Sequence, residues 1–176
     1  MENKIIIAGF GGQGVQSLGM FIAYASIHAG KEVTFLPSYG PEMRGGTSNC
    51  SVVVSDKPVA SPIIAFPDML IAMNKPSLNK FKSRVKSGGT IIVNKSLIED
   101  KVERNDVNVY YIDANKLALE AGNTKTANIV VLGAYTKLSG DFTPEQMKEV
   151  IQQKFAKKPK VIPANLKAFD MGYNLQ

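Results

Sequence analysis

The segment Ile5 to Gln16, IIIAGFGGQGVQ, limits what this chain can become more than any other stretch. An apolar run, Ile5-Ile6-Ile7-Ala8, meets four glycines within six positions: Gly9, Gly11, Gly12 and Gly14. A second apolar segment, Leu18 to Ala29, follows. The pattern predicts a buried parallel strand, a tight turn and the first turn of a helix. Glycine suits such a turn where φ must be positive, or where a backbone N–H must approach an anion or a neighbouring chain with no Cβ in the way. Gly9, Gly11 and Gly14 fit G-x-G-x-x-G, and they do so between a strand and a helix, as the phosphate-binding version of the motif requires.

The dinucleotide version of that motif needs more. It places an acidic residue at the end of the second strand, to hold a ribose hydroxyl. Here the second strand is predicted over Glu32 to Leu36 and runs into Pro37, Ser38 and Tyr39. Glu32 lies at its start, and no arginine stands nearby for a 2′-phosphate. A stand-alone nucleotide or NAD(P)-binding module is therefore the alternative reading. An anion-binding or close-packing turn is the main one.

The segment Pro37 to Asn49, PSYGPEMRGGTSN, is the most unusual in the chain. Prolines stiffen it, and Gly45-Gly46 lets the backbone approach something closely. Glu42 and Arg44 set opposite charges two residues apart, and a guanidinium can fork onto a carboxylate or phosphate. This reads as a rigid loop leaving the carboxyl end of the second strand. In a doubly wound sheet that edge also carries the first glycine turn, so the two should meet.

The remaining chain alternates strands with helices. Strands are predicted at Cys50 to Val54, Asp68 to Met73, Thr90 to Val93 and Val107 to Ile112. Asn74 closes the second of these, at the edge where ligands tend to bind. Helices are predicted at Pro76 to Lys86, with Ser77 or Asn79 near the start, and from Asp113 to Glu120. Another covers Ile129 to Leu138, capped by Thr126 or Asn128 and apolar on nearly all sides, as for a helix buried in an interface. A helix opens at Thr143-Pro144 with proline in its first turn, and a last helix or arm spans Pro163 to Leu175. The fold class is α/β: a single domain over residues 1–176, with a doubly wound, mainly parallel, Rossmann-like sheet and helices on both faces.

Composition narrows function by exclusion. With one cysteine, Cys50, the chain forms no internal disulfide and holds no four-cysteine zinc or iron–sulfur site by itself. Cys50 reads as a small core residue. The single histidine, His28, has no spaced cysteine or carboxylate to make a metal site or triad, so neither a catalytic nor a metal residue is assigned. No apolar run reaches the roughly 18 residues of a membrane span, and MENKIII enters a strand directly, with no room for a signal peptide. A cytoplasmic, reducing home follows as the expectation. The net charge of +6 could serve nucleic acid. However, the lysines are dispersed and are not interleaved with aromatic rings, so nucleic acid ranks last among the partner classes.

Three stretches together, GFGGQG (9–14), LPSYGPEMRGGTSNC (36–50) and DMLIAMNKPSL (68–78), make the chain resemble the gamma subunit of 2-oxoacid:ferredoxin oxidoreductases. The resemblance runs over essentially the whole chain. It looks closest to the 2-oxoglutarate or 2-oxoisovalerate branch, with pyruvate and indolepyruvate oxidoreductases as open alternatives. What it implies is a subunit of an enzyme that decarboxylates a 2-oxoacid on thiamine diphosphate, passes electrons through iron–sulfur clusters to ferredoxin and transfers the acyl group to coenzyme A. The chain has no thiamine diphosphate and magnesium motif and no cluster cysteines. The resemblance therefore puts thiamine diphosphate, Mg and [4Fe-4S] clusters on alpha, beta and ferredoxin-like delta partner subunits. Its implied role is to complete the active-site interface and to help bind coenzyme A. Gly11, Gly12, Gln13, Gly14, Ser38, Tyr39, Glu42, Arg44, Gly45, Thr47 and Asn74 are the candidate contacts. The isolated chain is expected to be inactive, and whether it self-associates is left open.

Overall fold

The computed structural model describes residues 1–40 and 46–175. Six strands form one sheet: β1 (Glu2–Phe10), β2 (Glu32–Tyr39), β3 (Thr47–Ser55), β4 (Met69–Ala72), β5 (Thr90–Asn94) and β6 (Asn108–Ile112). Their spatial order is β2-β3-β1-β4-β5-β6. β1, β4, β5 and β6 pair in parallel. β3 is antiparallel to both β1 and β2, so it alone runs against the other five. The expected mainly parallel sheet is present, but β3 sits between the first two strands as a reversed ribbon. The 37–49 segment is accordingly shorter as a loop than predicted, because Ser38 and Tyr39 belong to β2 and Thr47 to β3. Pro37 is tolerated there because β2 is an edge strand, with one side free of ladder bonds.

Six helices pack on the sheet: α1 (Val15–His28), α2 (Lys75–Phe81), α3 (Ala114–Glu120), α4 (Ala127–Ser139), α5 (Pro144–Lys154) and α6 (Ile162–Tyr173). The two faces are covered unequally. Ile5, Ile7, Val52, Met69, Ile71 and Ile92 point to one face, where α1, α3, α4, α5 and α6 enclose the larger core. Ile6, Ala8, Val53, Leu70, Ile91 and Val93 point to the other. That face is closed by α2, a short 3-10 turn at Lys82–Arg84 and the connector carrying Ile64. Arg84 pins this connector by donating to the carbonyls of Ile64 and Ala65.

Helix α4 is buried from Asn128 to Thr136 without a break, but other parts of this same chain do the covering. It crosses α6 so closely that a Cβ on Gly133 would strike the backbone of Phe169, and one on Gly172 that of Val130. The residues expected to cap α4 do other work. Thr126 hydroxyl donates to the Asn123 carbonyl (2.7 Å) and makes no side-chain cap, and Asn128 reaches back to Gly14 O (3.4 Å). The cap of α2 is Asn74, which accepts from Ser77 N–H at 2.9 Å. Thr143 and Gln146 close a reciprocal capping box on α5.

Candidate functional site

The candidate site follows from how β1 hands over to α1. Gly14 is the N-cap of α1 with φ +73°, a left-handed conformation that glycine adopts without a Cβ clash. Having no side chain, it leaves the helix uncapped. The first intrahelical bond comes from Leu18 N–H to Gly14 O (2.9 Å), so the amides of Val15, Gln16 and Ser17 precede the ladder. No acidic side chain lies in that first turn. The end of a 14-residue helix therefore presents amides outside the helical ladder and a partial positive charge.

The two predicted loops do meet. Gly11 N–H donates to Gly46 O at 3.0 Å, and Phe10 stands in register with Thr47. Between them opens a cleft of about 340 Å³, lined by Phe10, Gly11, Gly12, Gly14 and the first turn of α1 on one side, and by Tyr39, Gly46, Thr47 and Ser48 on the other. Tyr39 is 63% exposed and borders the cleft with an aromatic ring and a hydroxyl.

Of the sequence-derived candidates, Gly11, Gly12, Gly14, Tyr39 and Thr47 line this cleft. The Gly11 amide is already spent on Gly46, which removes it from the donors open to a ligand. Ser38 is exposed on β2 opposite Asn49 and is not among the lining residues. Gln13 and Asn74 lie beneath the turn, bonded to each other (3.1 Å). Glu42, Arg44 and Gly45 fall outside the described residues.

Sequence reasoning passed over Gln16, Ser17 and Ser48. Gln16 Nε2 donates to Ser48 Oγ (3.0 Å) and Asn49 O (2.9 Å), tying α1 to β3, while its Oε1 has no partner among the described residues. The signal available was their place in the first turn after Gly14 and at the start of β3.

The geometry counts against a dinucleotide. In a Rossmann site the second strand pairs directly with the first, which brings its acidic end to the ribose. Here β3 occupies that place, and β2 lies one inter-strand spacing, about 4.8 Å, further out. Glu32 is at the opposite end of β2 from the glycine turn. Among the described residues there is no group of three or more histidine, cysteine, aspartate or glutamate side chains placed to hold a metal. None of the described helices is long and apolar enough to cross a membrane. Burial pushes the Cys50 thiol up to about 12, opposed by the backbone of Gly19, so this sulfur is a poor nucleophile at neutral pH.

A cleft at a glycine turn, walled by an antiparallel ribbon inserted beside the first strand, sets this Rossmann-like α/β protein apart from the dinucleotide-binding arrangement. The chain belongs to the pyruvate ferredoxin/flavodoxin oxidoreductase family, whose pattern it matches over residues 4–175. It is 38% identical over 172 residues to the ketoisovalerate oxidoreductase subunit VorA of Methanothermobacter marburgensis, covering 97% of this chain and 36% of that relative. The chain thus spans about a third of the length of that relative. It is 36% identical over 178 residues to the 2-oxoglutarate synthase subunit KorC of Methanocaldococcus jannaschii, covering 99% of this chain and 94% of KorC. Among solved structures, the keto/oxoacid ferredoxin oxidoreductase gamma subunit from Geobacter sulfurreducens superposes with a TM-score of 0.87 at 30% identity, covering 98% of this chain and 95% of that one. The 2-oxoglutarate:ferredoxin oxidoreductase from Magnetococcus marinus, described with 2-oxoglutarate, coenzyme A and succinyl-CoA bound, gives 0.89 at 30% identity, over 97% of this chain and 30% of its own.

Proposed function

We propose that this chain is the gamma-type subunit of a 2-oxoacid:ferredoxin oxidoreductase acting on 2-oxoglutarate or 2-oxoisovalerate. In this reading its cleft receives a phosphate of coenzyme A at the interface with companion subunits. The observation that carries the reading is the uncapped start of α1 opening into the cleft beside Tyr39 and Thr47. Amides without intrahelical partners and the positive end of the helix dipole suit a phosphate.

Thiamine diphosphate, Mg and iron–sulfur clusters belong to alpha, beta and delta companions in this proposal, with ferredoxin as the electron acceptor. Among the described residues no group of three or more histidine, cysteine, aspartate or glutamate side chains is placed to hold a metal, and the single cysteine is buried. What the chain contributes is binding and orientation: the α1 amides fix an anion, and the β2–β3 ribbon walls it in. Glu42, Arg44 and Gly45 enter as candidate contacts by sequence only. A cytoplasmic setting belongs to the same reading.

The test is a charge placed in the cleft without harm to the fold. Ser17 is exposed, lines the cleft and sits in the first turn of α1. Ser17→Glu there is favourable to the helix itself, since a carboxylate complements its positive end. In the enzyme reconstituted with its companions, Ser17→Glu is expected to raise the KM for coenzyme A about fivefold or more by like-charge repulsion, with the KM for the 2-oxoacid unchanged. An unchanged KM for coenzyme A would remove the cleft from coenzyme A binding.

A further inference from the structure

Gln13 is the one side chain of the glycine turn that does not face the cleft. It folds back underneath. Its Oε1 accepts from Phe10 N–H (2.7 Å) and from Asn74 Nδ2 (3.1 Å), and its Nε2 donates to Met73 O (3.2 Å). Asn74, 4% exposed, uses its other atom to cap α2 at Ser77 N–H. Met73 N–H in turn donates to Ala8 O (2.8 Å). The end of β1, the turn, the end of β4 and the start of α2 are thus one bonded unit with Gln13 at its centre.

This arrangement explains Gly9 without reference to a ligand. A Cβ there would lie 2.6 Å from Gln13 Oε1 and 2.9 Å from Met73 Cβ. The glycine makes room for the returning glutamine. Gly14 is likewise accounted for by its positive φ and by Asn128, whose Nδ2 would meet a Cβ at 2.5 Å.

We propose that Gln13 and Asn74 are positioning residues for the anion cleft. They touch no ligand. They clamp the backbone from Phe10 to Gly14 so that the first amides of α1 face the cleft in fixed geometry. The two side chains act together: losing the Asn74 donor frees one of the glutamine's three bonds, and losing Gln13 frees that bond along with those to Phe10 N–H and Met73 O. The assignment rests on the coenzyme A reading given above.

Two substitutions separate the restraint from its surroundings. Asn74→Ser keeps a side-chain oxygen able to cap α2 but loses the donor to Gln13. Gln13→Ala loses all three of the glutamine's bonds. In the reconstituted enzyme, Asn74→Ser is expected to raise the KM for coenzyme A about three- to tenfold, the range a single hydrogen bond commands, and Gln13→Ala at least as much, with kcat at saturating coenzyme A within about twofold. The Gln13→Ala/Asn74→Ser double variant is no worse than Gln13→Ala, because the restraint is already gone.

A purely structural role lowers the amount of active enzyme and leaves KM alone, and that result overturns the assignment. Multiplying effects in the double variant overturn it too, as does an Asn74→Ser variant with unchanged KM, which leaves Asn74 outside the restraint. Ser17→Glu distinguishes the two levels. If it raises the KM for coenzyme A while the Gln13 and Asn74 variants do not, the positioning role alone falls. If none of the three moves that KM, the cleft is not the coenzyme A site and the role falls with it.

Discussion

The glycines of the turn show how a familiar motif can carry a different meaning residue by residue. Gly9 yields space to Gln13, Gly11 bonds the neighbouring ribbon, and Gly14 supplies a left-handed corner. None of these demands a dinucleotide. That much was half legible: the spacing of apolar and small residues gave the strand, the turn and the helix, while the missing acidic residue after β2 argued against NAD(P). The fate of Gln13 and Asn74 was not legible, because a polar side chain beside a turn reads the same whether it faces a ligand or folds beneath the backbone. Cys50 offers a test at this scale. It is fully buried beneath Gly19 of α1, where a Cβ would come within 2.6 Å of its sulfur. Burial holds its thiol up at about 12, above the ordinary 9.0. The native chain at pH 8 is therefore expected to resist thiol reagents, labelling only as fast as it unfolds, as read by mass spectrometry over time. The sign of the pH effect follows. The unfolded thiol ionises first, so the stability this burial contributes is complete below about 9 and is lost as pH rises toward 12.

Among the elements, the β2–β3 ribbon is where reading and structure part. The sequence reading ended the second strand at Leu36 and opened the third at Cys50, leaving residues 37–49, long enough for a crossover to a parallel neighbour. The strands in fact extend to Tyr39 and from Thr47, which leaves only residues 40–46. That length permits a hairpin and forbids a crossover, so β3 must reverse. The misplacement has a physical source: Pro37 and Ser38 look like loop, yet β2 is an edge strand and accepts the proline, and the polar start of β3 is held by Gln16, which donates to Ser48 Oγ and Asn49 O. Helix α4 teaches a related lesson. Its uniform apolarity announced burial, which the sequence reading assigned to an interface, and α6 of this same chain proves to be the cover. The glycine crossing of α4 and α6 is open to test. Gly172→Ala puts a methyl into the backbone of Val130, and overpacking of this kind costs about 1–3 kcal/mol or more. Urea unfolding of the variant is expected to show a lower midpoint with unchanged slope.

At the scale of the whole molecule, the two cores share their walls. Ile5 and Ile7 face one core and Ile6 and Ala8 the other, from the same strand, and β4 and β5 divide their side chains likewise. Neither core can persist when the sheet is lost. The chain is therefore expected to unfold in one transition, with calorimetric and van't Hoff enthalpies in agreement, and two separated transitions would contradict the single-domain assignment over residues 1–176. The unequal cover of the sheet, five helices against one, also has no counterpart in the sequence pattern, since the alternation of side chains along a strand says that both faces are buried but not how thickly. One bond described above has a mechanical meaning for such a molecule. With the amide of Gly11 fastened to the carbonyl of Gly46, the outer margin of the sheet and the mouth of the first helix are riveted together. A neighbour that grips that margin pulls on the mouth as well, through the Gly11–Gly46 bond.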